Sequence, residues 1–146
     1  MHIVVSDARF DAGAELDKFT SRAKGAGGIV SFTGLVRDEG GTLAQMQIEH
    51  YPGMTERAIR GMAQTASSRW DLTDVLVIHR YGDLVPGEQI MMVATAARHR
   101  RNAFEAAEYL MDYLKSRAPF WKKELGANGA DWVAATDADE DALSRW

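Results

Sequence analysis

The chain has 146 residues, 46% of them hydrophobic and 26% charged, with a formal net charge of -4 and a sequence pI near 5.5. A single domain of this length buries roughly 70% of the surface its unfolded form exposes, and the mild acidity argues against a general nucleic-acid binder. Cysteine is absent, so disulfides, thiolate metal sites and cysteine nucleophiles are all excluded.

His2 to Val5 is a short β-branched run and predicts a strand, and Leu16, Phe19 and Thr20 at helical spacing predict a helix over Gly13–Ala23. Gly25, Gly27 and Gly28 end it. IVSFTGLV (29–36) and LAQMQIEH (43–50) predict two strands joined as a hairpin across the polar loop RDEGG. Pro52-Gly53 marks a turn, with Thr55 as the expected N-cap of a helix to about Arg69. Ile59, Met62, Ala63, Ala66 and Trp70 form the buried stripe of that helix.

VLVIHRY (75–81) and QIMMVATA (89–96) predict strands on either side of the turn-rich GDLVPGE. A long helix follows from about Arg101 to Arg117, stopped by Pro119, which pushes Ala118 toward extended geometry. Asp131–Ala135 predicts a last strand, followed by a short acidic helix toward Trp146. Strands and helices in this order predict an α+β fold with a mainly antiparallel sheet and flanking helices in one domain, 1–146. Neither GxGxxG nor GxxxxGK[ST] occurs, which removes the best support for a nucleotide site. No apolar run reaches the roughly 18 residues of a bilayer span, and MHIVVSDARF does not read as a secretory signal, so a cytoplasmic location is expected.

The basic residues cluster in three places. Lys115 shares a helical stripe with Phe104 and Met111; its stem either snorkels over apolar surface, or its ammonium is held beside an apolar wall where desolvation eases proton transfer. In KSRAPFWKKE, Phe120 and Trp121 either anchor Lys122 and Lys123 or plug the core ahead of two solvated lysines. Arg98-His99-Arg100-Arg101 stands at a helix N-terminus, where cations oppose the dipole unless an anion joins them. The alternative is that Asn102 caps the helix and these residues lie in a solvated loop. Arg37 sits at a loop mouth, and Arg69 closes the second helix, where a cation suits the dipole. His2, His50 and His79 lack ligand-like spacing with carboxylates, so no metal is expected on the polypeptide. Along one helix, Arg100 and Lys115 are about 22 Å apart; serving one small substrate together would take two copies of the chain.

SFTGLVRD, EHYPGMTE, IHRYGDLVPGE, RHRRNAFEAAEYLMDYLK and APFWKKE, in this order, closely resemble the large, catalytic subunits of molybdopterin synthase over about Gly28 to Val133. The resemblance implies an α/β hammerhead-type fold and a central homodimer carrying one small ubiquitin-like sulfur-carrier subunit at each end. It implies a sulfurtransferase that moves sulfur from the carrier's Gly-Gly thiocarboxylate to cyclic pyranopterin monophosphate, forming the molybdopterin dithiolene. By motif, Lys115 and Lys122 take the places of the catalytic lysines. Lys115 would act as proton donor or acceptor, and Lys122 would stabilise negative charge. Arg37, His99, Arg100, Phe32 and Met111 match substrate-pocket positions, with Arg69 a further candidate. No resident cofactor, nucleic acid or membrane is implied. A different class of reading is a non-catalytic phosphate-ligand or protein-binding module using the same basic groups.

Overall fold

The computed structural model describes every residue except Glu39 and Asn128. In chain order the elements are β1 (His2–Ser6), α1 (Ala12–Arg22), β2 (Gly28–Leu35), β3 (Leu43–His50), α2 (Met54–Trp70), β4 (Leu72–Arg80), β5 (Gly82–Leu84), β6 (Gln89–Ala97), α3 (Arg100–Ser116), β7 (Phe120–Gly126), β8 (Gly129–Val133) and α4 (Asp137–Ala142), closed by a 3₁₀ turn, Leu143–Arg145. The strands form two four-stranded sheets, ordered β1-β4-β6-β2 and β5-β3-β7-β8. Among the described residues only β1 and β4 run parallel; every other pairing is antiparallel.

The uninterrupted apolar runs of β4 and β6 follow from burial on both faces. Val75, Val77 and Val93 face one core cluster with Ile59 and Ala63 of α2 and Ala106 and Leu110 of α3. The alternate residues Leu76, Ile78, Met92 and Ala94 face a second cluster built on Phe19 and Ala23, at the end of α1. The first sheet is therefore the middle of three layers. Val77, Val93, Ile59 and Leu110 are fully buried, each contributing about 1.5–3 kcal/mol of hydrophobic stabilisation. Met46, Ile48 and Leu84 extend the first cluster into the second sheet.

Three expectations are corrected. The β2 and β3 runs form no hairpin: β2 pairs with β6 and β3 with β5 and β7. Val36 carries the β2 direction onward by bonding Glu88 and Gly87 through its backbone, while the Asp38 carboxylate accepts the Thr42 and Leu43 N–H groups at 3.1 Å and turns the chain into the other sheet. Second, α2 starts at Met54 with Gly53 as N-cap, at φ 80°, a left-handed conformation that suits glycine. Glu56 accepts the Gly53 N–H at 2.7 Å. Thr55 is instead fully buried, with its hydroxyl donating to the Tyr51 carbonyl at 2.9 Å. Third, FWKKELG, to which the sequence pattern assigns no strand, is an inner strand of the second sheet, because the register opposite β3 takes up its backbone groups.

The C-terminus straps across the ends of α2 and α3. The Trp146 ring meets Trp70 at 5.5 Å and Tyr109 at 5.8 Å, both edge-on, and its Nε1 donates to Asp112 at 2.7 Å. Asn102 donates to the Trp70 carbonyl at 2.9 Å rather than capping α3; His99 is the N-cap, with no side-chain bond. No helix among the described residues is long and apolar enough to cross a membrane.

Candidate active site

Where the two sheets diverge they leave a cleft of about 770 Å³. One wall is β2 with its continuation, from Phe32 to Asp38. The other is formed by Met46, Lys122, Glu124, Asp131 and Val133, and Met111 and Lys115 close it from the last turns of α3. Gly126 also lines the cleft. A β-carbon there would collide with the Thr42 carbonyl, so a glycine is what lets β7 approach the start of β3 so closely.

Five of the eight residues singled out from the sequence line this cleft: Lys115, Lys122, Arg37, Phe32 and Met111. His99 and Arg100 are exposed at the far end of α3 and do not line it. Arg69 is elsewhere, donating to the Trp146 main-chain oxygen at 3.2 Å with its guanidinium 4.7 Å from the Trp70 ring. In this chain it closes the C-terminal strap. The stripe shared by Lys115 and Phe104 is not buried, for Phe104 is 59% exposed; α3 buries Ala103, Ala106, Ala107, Leu110 and Leu114 instead.

Burial acts on the other lysine. Lys122 extends from β7 opposite Ile48, and desolvation pushes its ammonium down to about 8, assisted by the charge of Lys115 and opposed by the carboxylate of Asp139. Two ammonium groups of different exposure thus share one cleft. Beneath Lys122 lies an aromatic stack. His79, 4% exposed, lies 3.7 Å from the Phe120 ring at 17°, and His50 is 4.2 Å from Tyr81. Burial, then Lys122, holds the His79 imidazole down at about 3, so it is neutral at physiological pH and adds no charge beneath the lysine. Its Nδ1 lies 2.8 Å from the Arg80 carbonyl, a contact that places the proton on Nδ1.

Sequence reasoning passed over Glu124, Asp131, Thr136 and Asp139. The last two carry a readable signal, since Thr136-x-x-Asp139 has the spacing of a capping box. Thr136 Oγ1 accepts the Asp139 N–H at 3.1 Å and Asp139 accepts the Thr136 N–H at 2.9 Å.

Residues 5–117 match the family model described as MoaE protein. The chain belongs to the MoaE family. It is 65% identical to the molybdopterin synthase catalytic subunit of Cereibacter sphaeroides over 146 residues, covering the whole of both chains. The solved molybdopterin biosynthesis MoaE protein of Burkholderia ambifaria MC40-6 superimposes with a TM-score of 0.85 at 46% identity, covering 99% of this chain and 97% of that one. A chain from the complex of subunits 1 and 2 of molybdopterin-converting factor of Helicobacter pylori 26695 shares the fold. Its TM-score is 0.77 at 21% identity, over 92% of this chain and 90% of that one. The α+β architecture of two mainly antiparallel sheets is thus that of the MoaE proteins.

Proposed function

We propose that this chain is the catalytic subunit of a molybdopterin synthase and that its cleft is where sulfur changes hands. The extended C-terminal glycine of a small ubiquitin-like carrier enters the cleft as a thiocarboxylate. Its sulfur bonds to a carbon of cyclic pyranopterin monophosphate as that carbon's bond to oxygen breaks, and water then cleaves the acyl–sulfur bond, so that sulfur replaces oxygen on the substrate and the carrier leaves as a carboxylate. Two such transfers make the dithiolene. A chain without cysteine has no thiol to relay the sulfur, which suits direct delivery in trans.

The observation that carries this reading is the meeting of Lys115 and Lys122 in one cleft with Arg37, Phe32 and Met111. The Lys122 ammonium, partly desolvated, stabilises negative charge building on the acyl oxygen, where a dry cation is worth more than a wet one. Lys115, exposed beside it, exchanges protons with the thiocarboxylate and solvent. Arg37 at the mouth holds the anionic substrate.

His99 and Arg100 stand about 22 Å from Lys115 along α3. In this reading they serve a second copy's cleft, which makes the working unit a homodimer with two small subunits. The Helicobacter pylori neighbour is itself a complex of two subunits, which supports a small partner here. A cytoplasmic location goes with the same reading.

The experiment mixes Lys115→Ala or Lys122→Ala protein with thiocarboxylated carrier and precursor and measures dithiolene formation. Each variant should lose about 100-fold or more, the usual scale for removing a charge-stabilising or proton-transferring group. Unimpaired product from both would defeat the assignment, and substrate binding without turnover in the parent protein would favour a binding module.

A further inference from the structure

We propose that Asp139 is a positioning residue that divides the charge between the two cleft lysines, its fixed carboxylate keeping the Lys122 ammonium protonated against the repulsion of Lys115. The inference rests on the reading that Lys122 acts as a cation in sulfur transfer. The geometry has three parts. Helix α4 opens at Thr136, which lines the cleft together with Lys115 and Lys122. Asp139 is half-buried and locked by the reciprocal bonds of the capping box, at 2.9 and 3.1 Å. The bond from the Thr136 N–H thereby holds the carboxylate against a residue of the wall that Lys115 and Lys122 share, and its charge favours the protonated form of Lys122.

Two cations in one partly dry cleft disfavour each other, and the more desolvated one loses its proton first. A carboxylate that cannot swing away opposes that loss. The Thr136 backbone N–H, ahead of the Thr136 hydroxyl and the two lysines, holds Asp139 below the usual carboxylate range, so it stays ionised wherever Lys122 titrates. The remaining charges around the cleft suit the task less well. Glu124 of β7 and Asp131 of β8 are exposed, Asp38 follows Arg37 and is held toward the start of β3 by the Thr42 and Leu43 N–H groups, and Arg37 is a cation. His79, buried below, is neutral.

The test replaces Asp139 by Asn, which removes the charge while its amide oxygen can still accept the Thr136 N–H. The pH dependence of Lys122 modification by an amine-reactive reagent is followed by mass spectrometry of the Lys122 peptide, alongside the pH profile of dithiolene formation. Losing the carboxylate lowers the affinity of Lys122 for its proton, so the labelling midpoint should fall by roughly half a pH unit or more below that of the parent. The alkaline limb of the rate should move down with it. Asp139→Glu should restore the parent midpoint, and Asp141→Asn, the same charge change elsewhere on α4, should leave it in place. An unmoved labelling midpoint in Asp139→Asn, or an equal shift in Asp141→Asn, overturns the proposal. A labelling shift with an unmoved rate profile upholds the role of Asp139 toward Lys122 and instead defeats the reading that the Lys122 ammonium acts in the reaction.

Discussion

The two sheets are built from the same number of strands and put to opposite uses. In the first, β6 is buried from Ile90 to Ala97, and its one hydroxyl there, on Thr95, is fully satisfied by donating to the Ala103 carbonyl at 2.7 Å. In the second, β8 is exposed along its whole length, and β7 leaves Lys122 half out of water. The dry sheet holds the geometry and the wet one holds the charge. The cleft lies at their seam, with β2 supplied by the first and Lys122 by the second. A lysine on a fully buried sheet would be neutral, and one on an open sheet would have no reason to titrate near neutrality.

The largest effect should come from the dry side. Leu110 is fully buried where α3 packs on the first sheet, and Leu110→Ala should cost about 2–5 kcal/mol in a denaturant titration. A loss under about 1 kcal/mol would mean that the layer relaxes and the contrast between the sheets is weaker than the burial indicates. Next comes the seam. With Lys122 pushed down to about 8, dithiolene formation at saturating substrate should decline above that pH, by about tenfold per unit once the ammonium is lost. Lys122→Arg keeps its charge far into alkali, so its profile, at whatever height, should lack this limb.

His79 sharpens the comparison from below the seam. Its imidazole titrates near 3 in the folded chain and near 6.5 when unfolded. Stability from this group is therefore whole above about pH 6.5 and is lost as pH falls toward 3, because the unfolded chain takes up a proton that the folded chain refuses. The slope approaches about 1.4 kcal/mol per pH unit. His79→Phe keeps a ring against Phe120, and equilibrium unfolding at neutral and mildly acidic pH should find that slope gone from the variant.

Legibility followed the same division. The runs VLVI in β4 and MMVA in β6, and the long stripe of α3, could be read because burial on both faces leaves a continuous apolar signal. The second sheet was harder. FWKKELG has two adjacent lysines and follows a proline, so its local chemistry says loop, and only pairing with β3, some seventy residues back in the chain, makes it a strand. The expected β2–β3 hairpin failed for a related reason, since periodicity gives strand positions but not partners. Motifs did place Lys115, Lys122, Arg37, Phe32 and Met111 around one cleft. They left open which lysine is desolvated, because helical spacing puts Lys115 beside Phe104 without telling whether anything covers that stripe.

The smallest effect should come from the wet edge. Trp132 is 60% exposed on β8, and its ring centre lies 5.4 Å from the Lys123 ammonium. Strand alternation puts Trp132 and Lys123 on the face opposite Lys122 and Val133, which line the cleft. A cation–ring contact at such an exposed site is worth about 0.5–1 kcal/mol. Trp132→Ala should therefore shift the denaturation midpoint by no more than that, and it should leave the labelling midpoint of Lys122 where it was. A loss as large as that of Leu110→Ala would mean that β8 carries packing its exposure does not reveal, and the division between a holding sheet and a charged one would have to be redrawn.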